Sequence, residues 1–196
     1  EEALKCYEKA IELDPKNAYA WSNKGSALKE LDRHEEALEC FEKALELDPK
    51  HAQTWIAQMG AFFDLSKIEE AIACIDKILA LSLTNTLQSE LDERKNEFFI
   101  LKGRFLNSLG KHEEALVCFE KAIELDPKYA MGWNSKGDVL DALGKHEEAL
   151  VCFEKAIELD PKNAETWNDK GTALGGLGKH EEALVCFEKA TELDPK

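Results

Sequence analysis

The stretch CFEKAIELDPK fills residues 118–128 and returns unchanged at 152–162. Copies that differ by one letter stand at 6–16, 40–50 and 186–196. The cysteines that open these phrases, Cys6, Cys40 and Cys74, then Cys118, Cys152 and Cys186, lie 34 residues apart; the one irregular step, Cys74 to Cys118, is 44. Trp21 and Trp55 keep the same interval, as do Trp133 and Trp167. A fixed period of this size marks a repeat architecture, and it has to be settled before any other pattern is interpreted.

Within one unit the apolar letters follow a helical period. Ala115, Leu116, Phe119, Ala122 and Ile123 form one stripe at three- and four-residue spacing. Glu113 and Glu114 fall in the first turn, where the helix dipole favours negative charge. Asp126-Pro127 ends the helix, because proline removes a backbone donor and forces its predecessor out of helical geometry. A helix over about 130–143 precedes the next phrase, with Gly144 as a left-handed cap. Each unit is therefore a helix pair. One pair cannot bury its own apolar face, so the units must stack, and the phrase recurs because each copy docks through the same surface.

The pattern W-x-x-K-G-x-x-L-x-x-L-G-K-x-E-E-A-L-x-x-F-x-x-A-x-x-x-x-P that runs through these units resembles the tetratricopeptide repeat. The resemblance covers nearly all 196 residues: a half-repeat at 1–16 holding only the second helix, then full repeats at 18–51, 52–85, 96–129, 130–163 and 164–196. It implies an all-α, right-handed superhelical solenoid of antiparallel helix pairs whose first helices line a concave groove. Members of the family usually serve as scaffolds for protein interaction. Two copies depart from the pattern. The column of Gly25, Gly103, Gly137 and Gly171 holds Met59, and the proline column holds Leu83; Phe99 stands where other units carry Trp. A glycine inside a helix costs about 1 kcal/mol against alanine, so its recurrence implies that a Cβ there would push the paired helices apart.

Composition narrows the partners. Against 25 Lys and Arg stand 40 Asp and Glu, a net charge of −15. Such a chain repels phosphate backbones and anionic membranes, so neither nucleic acid nor membrane is an expected partner. No apolar run approaches the ~20 residues of a membrane span. The six cysteines share one column without any C-x-x-C and are expected to be free, in a cytoplasmic, reducing setting. His34, His112, His146 and His180 also share a column, which holds Ile68 in the second repeat, and this suggests packing in the manner of a hydrophobic staple. The tryptophans fall in the register of an inter-helix core. The glycine run over 171–178 follows no strand and sits at a helix end, so it is no phosphate loop. The sequence offers no catalytic constellation, and no metal or cofactor is expected.

The resemblance implies that the groove is lined by Tyr19, Ser22 and Ser26 in the first repeat, Ile56 and Phe63 in the second, and Ile100 and Arg104 in the third. Met131, Asn134 and Asp138 follow in the fourth, then Asn168 and Thr172 in the fifth. Ile56, Phe63 and Ile100 would make its middle apolar, suited to a buried ligand or a self-contact. Asn134 and Asn168 lie one period apart; in line, two amides suit an extended peptide backbone, and they equally suit a solvated surface. The columns that clamp C-terminal carboxylates in some family members hold Ser22, Ser26, Ala57, Glu97 and Leu101 here, or, two repeats on, Ile100, Arg104, Ser135, Glu165 and Asp169. Acidic residues in those places would repel such a tail. The expected partner is a neutral to basic protein or peptide, held without catalysis. The alternative is a recruiting module of a larger enzyme whose catalytic domain lies outside this chain.

The extra ten residues, 86–95, contain neither Gly nor Pro. Leu87, Leu91, Phe98, Leu101 and Phe105 continue a helical stripe, so one helix is expected over 86–109, dividing the array into 1–83 and 86–196. The last stripe, Leu184, Phe187 and Ala190, has no following helix to cover it. Self-association through this end, or through the helix extension, is the corresponding expectation.

Overall fold

The computed structural model describes residues 1–81 and 94–195. Among these the chain forms eleven helices and no strand. They fall into two compact units, Glu1–Asp92 and Glu93–Lys196. The first holds α1 (Glu2–Leu13), α2 (Ala18–Lys29), α3 (His34–Leu47), α4 (Ala52–Asp64) and α5 (Ile68–Leu81). The second holds α6 (Lys95–Ser108), α7 (His112–Leu125), α8 (Ala130–Ala142), α9 (His146–Leu159), α10 (Ala164–Gly176) and α11 (His180–Leu193). In each unit every helix packs on the next, which is the stacking that a solenoid of helix pairs requires.

The repeated phrase explains the local structure. Its Ala-x-x-x-Phe-x-x-Ala spacing puts three residues on one face of each second helix. Ala37, Phe41 and Ala44 are buried in α3, as are Ala115, Phe119 and Ala122 in α7 and Ala149, Phe153 and Ala156 in α9. Burying one such ring stabilises the fold by about 1.5–3 kcal/mol. The ring lies against the glycine column of the first helix. A Cβ built on Gly25, Gly103, Gly137 or Gly171 would come within 2.6, 2.5, 2.5 or 2.6 Å of the facing Phe ring. The glycines are thus kept for close approach of the helix pair, as their recurrence implied. In the second repeat both columns change together: Met59 replaces the glycine and Ile75, fully buried, replaces the phenylalanine.

The Asp-Pro-Lys turn closes α1, α3, α7 and α9 in the same way. The residue before proline is driven to extended geometry, with Asp126 at φ −139° and ψ 91°, and its carboxylate accepts from the Lys128 amide at 3.0 Å. The tryptophans tie this turn to the next helix: the indole N–H of Trp21, Trp55, Trp133 and Trp167 donates to the carbonyl of Pro15, Pro49, Pro127 and Pro161 at 3.0–3.1 Å. All four rings are half-buried, so they staple turns as well as fill space.

Between the helices of a pair, the chain turns through one left-handed residue. Gly144 does so at φ +74°, as expected, and the same place holds Asp32 at φ +59° and Ser66 at φ +58°. Helix α8 ends at Ala142. The helix expected over 86–109 is described from Lys95, with Arg94 at its N-cap, to Ser108; its earlier part lies outside the described residues. The division falls between Asp92 and Glu93, in place of the expected 83 and 86.

Candidate functional site

The first-helix face of unit 1 is closed by its own side chains. Lys29 reaches over Gly60, whose added Cβ would lie 3.0 Å from Nζ, to the Asp64 carboxylate at 3.3 Å. His34 stands 3.7 Å from the same carboxylate. The Asp64 carboxylate is therefore matched by the Lys29 ammonium. Ser22 is buried and accepts from the Thr54 hydroxyl at 2.8 Å, so it joins α2 to α4 and offers nothing to a ligand. Tyr19 is exposed and meets the His51 ring edge-on, with centroids 4.7 Å apart. Ser26 and Ile56 are half-buried, and Phe63 is 53% exposed. An apolar cleft of about 520 Å³ also lies in this unit, between Leu45, Trp55, Phe62, Ala73 and Cys74. It lies where Gln58 replaces the lysine that elsewhere bonds the preceding second helix, as in Lys24–Glu8 at 3.1 Å and Lys136–Glu120 at 2.9 Å.

In unit 2 the first helices α6, α8 and α10 border a cavity of about 270 Å³. Arg104, Asn107 and Ser108 come from α6, Met131, Asn134, Ser135 and Asp138 from α8, and Glu165 from α10, with Asn163 at the α10 N-cap and Phe119 from α7. Four of the expected groove residues, Arg104, Met131, Asn134 and Asp138, thus meet in one place. Asn134 is only 8% exposed; its amide nitrogen donates to Asp169 Oδ2 at 3.2 Å, while its Oδ1 is buried with no hydrogen-bond partner. A buried acceptor left unpaired costs roughly 1–3 kcal/mol, so its presence calls for an explanation. Asp138 shares a hydrogen bond with Asp169. Burial, then the charges of Asp169 and Glu165, push the Asp138 carboxyl up to about 8, against the pull of Arg104. Burial raises Asp169 as well. Two carboxyls in one buried place cannot both ionise readily, so the pair holds a proton at neutral pH.

Ile100, expected in the groove, is instead 3% exposed and faces Gly132 on α8, so it belongs to the core of unit 2. Its helix also buries Phe98, Phe105 and Leu106, with Phe98 and Phe105 on a different side from Ile100. Asn168 and Thr172 are exposed on α10, and the Thr172 hydroxyl donates back to the Asn168 carbonyl at 3.1 Å. Asn134 is buried and Asn168 exposed, so the two amides do not present equivalent groups in line. Asp169 figured in the sequence only as an acid in a carboxylate-clamp column; its pairing with Asn134 and Asp138 is what reasoning from the sequence missed. Its signal was its place one helical turn after Glu165, in a column that suits a basic residue in carboxylate-binding repeats.

The remaining candidate chemistry is structural. Cys40, Cys74, Cys118, Cys152 and Cys186 are buried and Cys6 is exposed. Burial pushes the Cys74 thiol up to about 12, which makes it a poor nucleophile; the thiol donates to Gln58 Oε1 at 3.7 Å. The histidine column is polar where a hydrophobic staple was expected. His112 Nδ1 lies 2.7 Å from Asn107 Oδ1, and His146 Nδ1 lies 2.6 Å from Asp141 Oδ1, so each ring ties the start of a second helix to the last turn of the first. Among the described residues, no group of three or more His, Cys, Asp or Glu is disposed to hold a metal ion. None of the described helices is long and apolar enough to cross a membrane. Leu184 and Phe187 on α11 are 59% and 37% exposed, whereas the equivalent Phe153 is 1% exposed.

Comparison with known proteins agrees with this architecture. The chain is similar to the solved structure of YrrB, described as a TPR protein with an unusual peptide-binding site, at 26% identity over 97% of this chain and 93% of that one, with a TM-score of 0.72. It shares its fold with MamA, at 23% identity over 91% of this chain and 92% of that one, with a TM-score of 0.75. The MamA fragment from residue 41 onward of Desulfovibrio magneticus RS-1 matches at 21% identity, over 91% and 95% of the two chains, with a TM-score of 0.74. No curated protein sequence matches. The tetratricopeptide repeat family model matches residues 18–51, 97–129, 130–163 and 164–196, and a second TPR repeat model matches 1–32. With the models spanning most of its length, the chain belongs to the tetratricopeptide repeat family.

Proposed function

We propose that the protein is a non-catalytic interaction scaffold that holds a peptide or protein segment on the first-helix face of unit 2. The observation that carries this reading is the buried, unpartnered Asn134 Oδ1 at the wall of a cavity bordered by three successive first helices. Folding alone gives no return for an unpaired buried acceptor, whereas a ligand donor would satisfy it. Around it stand a flexible apolar side chain, Met131 at 44% exposure, and the acidic Asp138, Glu165 and Asp169, which favour a neutral to basic ligand. The fold is that of YrrB, whose description names a peptide-binding site. Burial makes the Cys74 thiol a poor nucleophile, and His112 and His146 are engaged with Asn107 and Asp141, which supports the non-catalytic reading.

Selection of random 12-residue peptides on the immobilised protein tests the reading. Enriched peptides should lose at least tenfold in affinity to Met131→Glu and remain bound by Phe63→Glu. Peptides indifferent to Met131→Glu, or no enrichment at all, would remove the cavity from the binding site.

A further inference from the structure

The cavity between α6, α8 and α10 sets the open Asn134 oxygen and the carboxylates of Asp138 and Glu165 beside donor groups of Arg104, Asn107, Ser108, Ser135 and Asn163. The carboxylate of Asp169 fixes the orientation of the Asn134 amide, since only its nitrogen can donate to Oδ2 at 3.2 Å. The Asn134 oxygen is thereby left as an open acceptor. Asp138, hydrogen-bonded to Asp169, and Glu165 add carboxylate oxygens, and Arg104 is the one cationic side chain among the cavity's lining residues. A group that satisfies the Asn134 oxygen and offsets the carboxylates donates hydrogen bonds and carries positive charge. An ammonium or a guanidinium does this; a carboxylate is repelled, and a neutral amide brings an acceptor of its own without offsetting the charge. A metal ion needs several ligands at one point, and no such group of His, Cys, Asp and Glu exists among the described residues. The volume, about 270 Å³, suits one side chain.

We infer that this cavity is the socket for a single lysine or arginine side chain of a peptide lying along unit 2. The inference rests on the scaffold reading above and adds to it the chemistry of one ligand group. Entry of the cation lets Asp138 and Asp169 ionise together, and the proton they share leaves to solvent. The charged groups facing Asp138 are Asp169 and Glu165 from α10 and Arg104 from α6. From α7 the cavity wall receives Phe119, and His146 of α9 is engaged with Asp141. Because Asp138 titrates near 8, binding below that pH releases up to one proton, and affinity should rise as much as tenfold per pH unit until the pair is ionised.

The test uses three small probes on the intact ¹⁵N-labelled protein: the N-acetyl amides of arginine, lysine and citrulline, the last an uncharged isostere of arginine. The two charged probes should shift the Asn134 side-chain amide saturably and bind at least tenfold more tightly than the citrulline probe. Their affinity should increase from pH 6 to 8 and then level off. Asp138→Asn and Asp169→Asn should each weaken them at least tenfold, with unfolding midpoints confirming that both variants fold. Equal affinity for the citrulline probe, no saturable shift, or tighter binding of Ca²⁺ to the same resonances would overturn the socket. Selected peptides that bind through Met131 without any lysine or arginine, while the charged probes leave Asn134 unmoved, would overturn the socket and leave the scaffold reading standing. Probe binding without any selectable peptide would overturn the peptide half of the proposal.

Discussion

The first-helix faces of the two units start from the same repeat and end in opposite chemical states. In unit 1, Lys29 lies over Gly60 and meets Asp64 at 3.3 Å, so that carboxylate is matched within the face, although His34 Nδ1, 3.7 Å from it, is also buried without a hydrogen-bond partner. In unit 2, Asp138 and Asp169 share a proton, Asn134 Oδ1 has no partner, and Arg104 alone opposes the acids. The lesson concerns where freedom lies in a repeat. Columns that pack helix on helix, such as the glycine and phenylalanine pair, change only together. Other first-helix columns change alone, and it is there that Lys29 and Asp64 pair in one unit while Asp138 and Asp169 meet in the other.

The comparison presupposes one scaffold beneath both faces, and a paired substitution could break that premise. Gly137→Met should lose about 2–3 kcal/mol, since the new side chain meets the Phe153 ring where a Cβ alone would come within 2.5 Å. Adding Phe153→Ile, which recreates the pair found as Met59 and Ile75, should recover at least 1 kcal/mol of that loss. Urea denaturation of the four proteins measures the coupling. Additive losses would mean that the second repeat is built differently from the fourth.

The electrostatic contrast should appear in the pH dependence of stability. The folded chain keeps a proton on Asp138 that the unfolded chain releases above pH about 4, so folding takes up a proton between roughly pH 4 and 8. This contribution is fully present below pH 4 and is lost as pH rises through about 8. Asp138→Asn removes the dependence, so the variant should gain on the parent as pH rises, by up to about 1.4 kcal/mol per pH unit within the window. Asp64→Asn should gain nothing in the same range, because it breaks the contact with Lys29. Thermal unfolding at a series of pH values distinguishes the two, and parallel curves for Asp138→Asn and the parent would contradict the shared proton.

Smaller effects sharpen the scaffold itself. Ser66→Gly should stabilise by about 1 kcal/mol, since Ser66 holds φ +58° where the fourth repeat uses Gly144. Gly144→Ala should cost a similar amount. Lys29→Met should change stability by less than about 1 kcal/mol, as expected of a partly exposed ion pair. Its value lies in freeing Asp64: if the variant then binds the arginine probe weakly, charge matching is what closes unit 1.

The period, the helix pairs, the Asp-Pro turns and the left-handed Gly144 were legible in the sequence because each depends on neighbours in the chain or on the next copy of itself. The close approach at Gly137 was legible from recurrence, although its cause, the Phe153 ring, needed coordinates. The candidate site was legible only in part. Arg104, Met131, Asn134 and Asp138 were reached through the family's groove columns, but these columns could not show that Ile100 and Ser22 turn inward, because the one column both share is buried at Ser22, Ile100 and Asn134, half-buried at Ile56 and exposed at Asn168. Asp169 was noticed only as an acid in a clamp column; its role escaped because it comes from partners on another helix, Asp138 and Asn134. The histidines were misjudged for the same reason: the single Ile68 in their column pointed to packing, while Asn107 and Asp141, five residues before His112 and His146, make the contact polar.

The central claim is that ligand binding belongs to the open face of unit 2 and that the repeated columns only hold the fold. The affinity of one selected peptide for two variants tests it most directly. Asn134→Ala alters the cavity wall, whereas Lys170→Ala breaks the 2.9–3.1 Å class of scaffold ion pair, at 3.0 Å to Glu154, on the side of the second helices. The prediction is a loss of at least tenfold for Asn134→Ala and a change of less than twofold for Lys170→Ala. Unaltered binding by Asn134→Ala, with a clear loss for Lys170→Ala, would contradict the claim.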